Sequence, residues 1–227
     1  MDLASDNKTK AMEYIDTVKA NNQKSKEYAN VIAELRSLKA EDVKGYNLPK
    51  DKAQLEADIK TCQDSLKTYN SMLNDIESGK LKPYINERKD PCFNLPDADY
   101  KALKSMTDRV GKNNFPNMTR GDDNVHMKYE IIEGKQELEK YAHVLNLMKK
   151  VNDLGLSENY LGGNLTDDKL KNMIQSLQGL QQEVSTDNQT HMITIQDHIG
   201  KYNSYSQGAS AAISQSNQAL TQIATGR

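Results

Sequence analysis

Ile195-Gln-Asp-His-Ile199-Gly-Lys-Tyr202-Asn-Ser-Tyr-Ser206-Gln-Gly-Ala209-Ser-Ala-Ala-Ile213-Ser-Gln-Ser216-Asn-Gln-Ala-Leu220-Thr-Gln-Ile223 decides the fold. The numbered residues recur at steps of four and three, the period of a coiled-coil seam. Upstream the same stripe runs through Leu170, Met173, Leu177, Leu180, Val184, Asn188 and His191. Thr166 can cap this helix, and Asp167 and Asp168 suit its positive N-terminal end. About 60 residues at 1.5 Å each make a rod of roughly 90 Å, so the helix must project or run the length of an elongated molecule.

Within that helix, Tyr202 to Gly226 spans 25 residues without one charge. Exposed helices ordinarily carry charged pairs for support and solubility. Small neutral residues around an aliphatic seam allow packing from several sides without burying charge, as a protomer of a helical polymer or ring requires.

Working outward, all five prolines fall between Pro49 and Pro116, so helical flanks enclose an irregular middle. The first helix is expected from about Asp6 to Lys39, capped by Asp6 or Asn7. Its stripes are Ala11, Ile15, Val18 and then Tyr28, Val31, Leu35, Leu38. Asn21 to Lys26 interrupts them with a polar seam. A second helix opens at Leu48-Pro49-Lys50-Asp51 and ends near Ser78 with Gly79 as its cap, on a stripe of Leu55, Ile59, Cys62, Leu66, Tyr69, Leu73 and Ile76. A short helix is expected from Asp97 to Val110, ended by Gly111, with Tyr100, Leu103 and Met106 on one side. Lys112 to Asp123 reads as a surface loop. A fourth helix runs from about Asp123 to Asp153 on Met127, Ile131, Gly134, Leu138, Tyr141, Leu145 and Met148. Residues 1–40 thus form an N-terminal coiled-coil arm and 41–79 the second helix. The middle, 80–123, is irregular or mixed; 124–163 holds the fourth helix and a turn, and 164–227 the long C-terminal coiled-coil helix. The expected fold is mainly α, with the first and last helices paired.

Composition agrees with thin elements. The hydrophobic fraction is 36%, with no Trp and two Phe, too little to fill a large round core. Thirty basic residues against 32 acidic leave no electrostatic footprint for nucleic acid or an anionic membrane. No apolar run exceeds three residues, which excludes a transmembrane helix, and no hydrophobic signal segment stands near Met1. Cys62 and Cys92 make neither a disulfide framework nor a zinc spacing.

Chemistry-bearing patterns are sparse. His126, His143, His191 and His198 are never three or four apart, so no helical face offers a histidine pair to a metal. Asp187 and His191 stand one turn apart, but two groups make no active site. No phosphate loop or nucleophile elbow is present. The chain is therefore expected to be no enzyme and to need no cofactor and no metal. Arg120-Gly121-Asp122 is of the type some integrins bind, and Asn117-Met118-Thr119 matches a glycosylation acceptor that is idle without a secretory signal.

Three stretches carry a resemblance. They are Leu170 to Val184 running into Ile195 to Asn203, the uncharged end from Ala209 to Gly226, and the early Tyr14-Ile15, Lys24-Ser-Lys-Glu-Tyr28 and Leu35 helix. Together they resemble the hydrophilic translocators of bacterial type III secretion, which form needle tips or tip filaments (the V-antigen, IpaD and EspA groups). The resemblance covers about half of the chain, at its two ends. It implies a structural protein exported without a cleaved signal and placed outside the cell at the needle tip. Implied partners are further copies of itself, the needle subunit, the hydrophobic translocators, a cytoplasmic export chaperone and the host cell surface. The last helix would pack on the first within one chain and on needle or sister subunits in the assembly. Its assembly seam would be Ile195, Ile199, Tyr202, Ala209, Ile213, Leu220 and Ile223. The alternative is an intracellular coiled-coil adaptor or scaffold.

Overall fold

The computed structural model describes residues 2–85, 91–111, 125–156 and 158–225. The fold is mainly helical: α1 (Asp2–Ser37), α2 (Ala40–Val43), α3 (Lys52–Glu77), α4 (Asp97–Val110), α5 (Lys128–Asp153) and α6 (Asp167–Ala224). Strands β1 (Tyr84–Ile85), β2 (Pro91–Asn94) and β3 (Val125–Met127) form an antiparallel sheet in the order β1-β2-β3. The chain divides into two compact units, Met1–Ala29 with Gln178–Arg227, and Asn30–Leu177.

The first unit is an antiparallel pairing of α1 with α6. The inward face of α1 runs through Ala4, Asn7, Ala11, Tyr14, Val18, Asn21, Ser25 and Tyr28, an unbroken three-four repeat. The polar interruption at Asn21 to Lys26 is therefore a polar part of a continuous seam. Asn188 Nδ2 donates to Asn22 Oδ1 at 2.9 Å, and Gln181 Nε2 donates to the Ser25 carbonyl at 3.3 Å. The helix starts at Asp2, not at Asp6 or Asn7. Asn7 is turned onto the seam, buried, and donates to the Leu3 carbonyl within the helix.

In the second unit α3 pairs chiefly with α5. Asp51 caps α3 by accepting the Gln54 N–H at 2.8 Å, while the Gln54 side chain accepts the Lys50 N–H at 3.0 Å, so two otherwise orphaned amides are satisfied. Ser78 and Gly79 (φ +73°) end it. The buried face is Leu55, Asp58, Cys62, Ser65, Tyr69 and Met72. The expected Ile59, Leu66 and Leu73 are only half-buried, one position aside. On that face Asp58 takes Arg109 of α4 as its partner. The expected stripe of α5 is buried from Ile131 to Met148, joined by Val144, Leu147 and Val151. Its start differs from expectation. Val125-His126-Met127 pairs with β2 as β3, and the helix begins at Lys128, with Glu130 accepting the Met127 N–H at 2.9 Å. The short helix Asp97–Val110 stands as read, with Tyr100 and Met106 buried; the Leu103 side chain lies outside the described residues.

Residues 45–49 tie this unit together. Gly45 N–H bonds the Leu165 carbonyl, Leu165 N–H the Tyr46 carbonyl, and Leu48 N–H the Gly163 carbonyl. Asn47 N–H reaches Val110 on the other side. The Tyr141 hydroxyl donates to the Asn47 carbonyl at 2.7 Å, and Tyr46, fully buried, donates to Glu137 at 2.6 Å. Gly111 is required here: its φ is +111°, and a Cβ would sit 2.8 Å from the Gly45 carbonyl oxygen.

Candidate functional site

The seam on α6 is covered by α1 only in part. Thr166 caps the helix through the Lys169 N–H at 3.2 Å. Val184 and Ile195 are buried, and Asn188, His191, His198, Tyr202 and Ser206 are half-buried. Asn7, near the start of α1, lies against His198. Every described residue from Gln207 to Thr225 is exposed.

The expected assembly seam therefore splits. Ile195 is buried against α1 and Tyr202 half-buried. Ile199 is 42% exposed and stands at the flank. The inward step belongs to His198, whose Nδ1 lies 2.8 Å from Asn7 Oδ1 and whose ring stacks on Tyr14 at 6.0 Å. One residue turns a helix by about 100°, so seating His198 swings Ile199 outward. Ala209, Ile213, Leu220 and Ile223 lie on the uncovered length, Ile213 at 62%, Leu220 at 63% and Ile223 at 77% exposure. Ala209, Ile213 and Leu220 fall on the helical face that Ile195 and Tyr202 present to α1 upstream. An apolar seam thus leaves its intramolecular partner and continues bare on a segment without charges.

The histidines sort by position. His191 and His198, seven residues apart, flank Tyr14, with the His191 ring centroid 5.3 Å away. Their heptad spacing in register with Ile195 and Tyr202 was the signal for a seam role. Asp187 is exposed, while His191 turns to Tyr14. Among the described residues no group of three or more His, Cys, Asp or Glu could hold a metal ion. No described helix is long and apolar enough to cross a membrane. Arg120-Gly121-Asp122, Asn117-Met118-Thr119 and the loop read at 112–123 lie outside the described residues.

A second polar centre was not foreseen. Asp58, 2% exposed, pairs with Arg109, and burial pushes its carboxyl above the ordinary range although the guanidinium opposes the shift. Below it Cys62 is fully buried, and burial with the Asp58 charge pushes its thiol up to about 12, leaving it un-ionised at neutral pH. The only sequence signal was that Asp58 falls three residues after Leu55 and four before Cys62.

No protein-family model, no curated protein and no solved structure matches this chain.

Proposed function

We propose that this chain is a structural subunit of a bacterial type III secretion apparatus. In this reading it caps the needle or forms its tip filament and serves as the platform on which the hydrophobic translocators open their pore. One observation carries the reading. The seam that α1 covers as far as Ser206 continues exposed through Ala209, Ile213, Leu220 and Ile223 on a helix with no charge from Tyr202 onward. A bare apolar stripe of this kind marks an interaction surface. Its neutrality lets needle or sister subunits pack on several sides without stranding a charge. The likeness of both chain ends to the hydrophilic translocators supplies the apparatus. The chain would be exported without a cleaved signal and act outside the cell, with copies of itself, the needle subunit and the hydrophobic translocators as partners.

The test uses Gln207 and Gln218, both exposed. Changing both to Glu adds two charges where a lone chain meets only water, so thermal unfolding should match wild type within about 0.5 kcal/mol. Sedimentation with purified needles should lose the variant, because assembly would bury its carboxylates. Normal co-sedimentation of the variant, or retention of the wild-type chain in the cytoplasm when secretion is induced, would overturn the reading.

A further inference from the structure

Beside the Asp58–Arg109 pair the second unit holds a cavity of about 300 Å³, lined by Asn47 to Lys50, Gln54, Asp58, Arg109, Tyr141 and Gly163. Its lining carries two cations, Lys50 and Arg109, and one carboxylate, Asp58. Asp58 is buried while the Arg109 side chain is 42% exposed, so the guanidinium faces both the carboxylate and open water. We propose that this cavity is a proton-linked site for a small oxyanion, a carboxylate or a phosphate, which replaces the Asp58 carboxylate on Arg109 when Asp58 takes up a proton.

The groups around Asp58 define the exchange. From α3 come Gln54 and the un-ionised Cys62, from α4 Arg109, from α5 Tyr141, and from the 47–50 segment Lys50. The Tyr141 hydroxyl donates to the Asn47 carbonyl, so its proton is committed away from Asp58. Arg109 is then the cationic partner of Asp58 among the described residues. While Asp58 is ionised, an incoming anion competes with a tethered carboxylate for that guanidinium. Once protonated, Asp58 is neutral, and releasing Arg109 no longer strands a buried charge. Arg109 keeps its charge and its wet face, with Lys50 on the same wall. The cavity need not collapse, because its rim is pinned by Leu48 N–H to Gly163 at 2.9 Å and Gly162 N–H to Pro49 at 2.6 Å. Each anion bound takes up one proton, which goes to Asp58, so anion affinity and Asp58 protonation must strengthen each other equally. Burial supports this by holding the Asp58 carboxyl above its ordinary range.

The test is a ¹³C NMR titration of the Asp58 carboxyl carbon and the Arg109 Nε–H signal in the full chain. Inorganic phosphate or formate is compared with sodium chloride at equal ionic strength. Either oxyanion should move the Asp58 midpoint upward, and apparent affinity should fall about tenfold per pH unit above that midpoint. The larger shift names the preferred anion. Asp58→Asn removes the competitor, so its Arg109 signal should respond to the anion in acid and at neutral pH alike. Arg109→Gln should abolish the response. A midpoint that is the same in oxyanion and in chloride, or an Asp58→Asn chain whose Arg109 ignores the anion, overturns the proposal.

Discussion

The Nδ1 of His198 lies 2.8 Å from the Oδ1 of Asn7, whose own amide nitrogen donates to the Leu3 carbonyl at 2.7 Å. With the amide nitrogen committed inside α1, Asn7 faces His198 with its oxygen. His198 must then donate from Nδ1. Among the described residues this is the cross-helix bond nearest the point where α6 goes on alone.

Replacing Asn7 alone with Leu should lower stability by about 1 kcal/mol, because it strands the His198 donor at a half-buried position of the seam. Adding His198→Leu should restore wild-type stability or exceed it, since an apolar pair needs no partner. Thermal unfolding followed by circular dichroism compares the three chains. A double variant no better than Asn7→Leu would show that the bond is not made.

Ile195 and Ile199 should respond differently to the same substitution. Ile195→Asp places a carboxylate against α1 at a position 4% exposed and should cost about 3 kcal/mol or more. Ile199→Asp, at 42% exposure, should cost about 1 kcal/mol or less. Equal losses in urea unfolding would place both side chains inside the seam.

Gly134 faces Tyr69 across α5 and α3. A Cβ on Gly134 would lie 2.7 Å from the Tyr69 hydroxyl, and that hydroxyl is buried without a hydrogen-bond partner among the described residues. Gly134→Ala should therefore destabilise by about 1–3 kcal/mol despite its better helix propensity. Tyr69→Phe should stabilise slightly and make Gly134→Ala nearly neutral. Additive effects in the double variant would show that the two residues do not meet.

Arg109→Ala should cost about 3 kcal/mol at neutral pH by leaving the Asp58 charge buried alone. Burial already raises the Asp58 pKa, so the folded chain holds that proton more tightly than the unfolded chain does. The stability it supplies is present in acid and is lost as pH rises through the folded pKa. The penalty of Arg109→Ala should accordingly shrink as pH falls, and Asp58→Asn should recover most of it at neutral pH. Urea unfolding of the three variants at two pH values tests this; a penalty independent of pH would show that Asp58 carries no charge to strand.

Much of the fold was legible. Asp51 and Gly79 bound α3, Asp97 and Gly111 bound α4, and Thr166 starts α6, because cap and breaker chemistry acts within one turn of chain. The apolar stripe of α6 and its lack of charge were legible as well, since both are read along one stretch of chain, but that α1 leaves the stripe uncovered past Ser206 was not. Helix faces were legible only to within one position. Leu55, Cys62 and Tyr69 are inward as read, but Asp58 and Ser65 displace Ile59 and Leu66. On α6, His198 likewise displaces Ile199.

The sequence by itself determined where α3, α4 and α6 start, where α3, α4 and α5 stop, and which helices are amphipathic, because propensity, capping and periodicity are properties of neighbouring residues. Tertiary structure alone decided the pairing of residues 45–49 with 162–165, the recruitment of Val125 to Met127 into the sheet, and the burial of Asp58 under Arg109. Each of these depends on a group far away in the chain. A charged or polar side chain is stable inside only where such a group arrives to satisfy it, and no local pattern records that arrival.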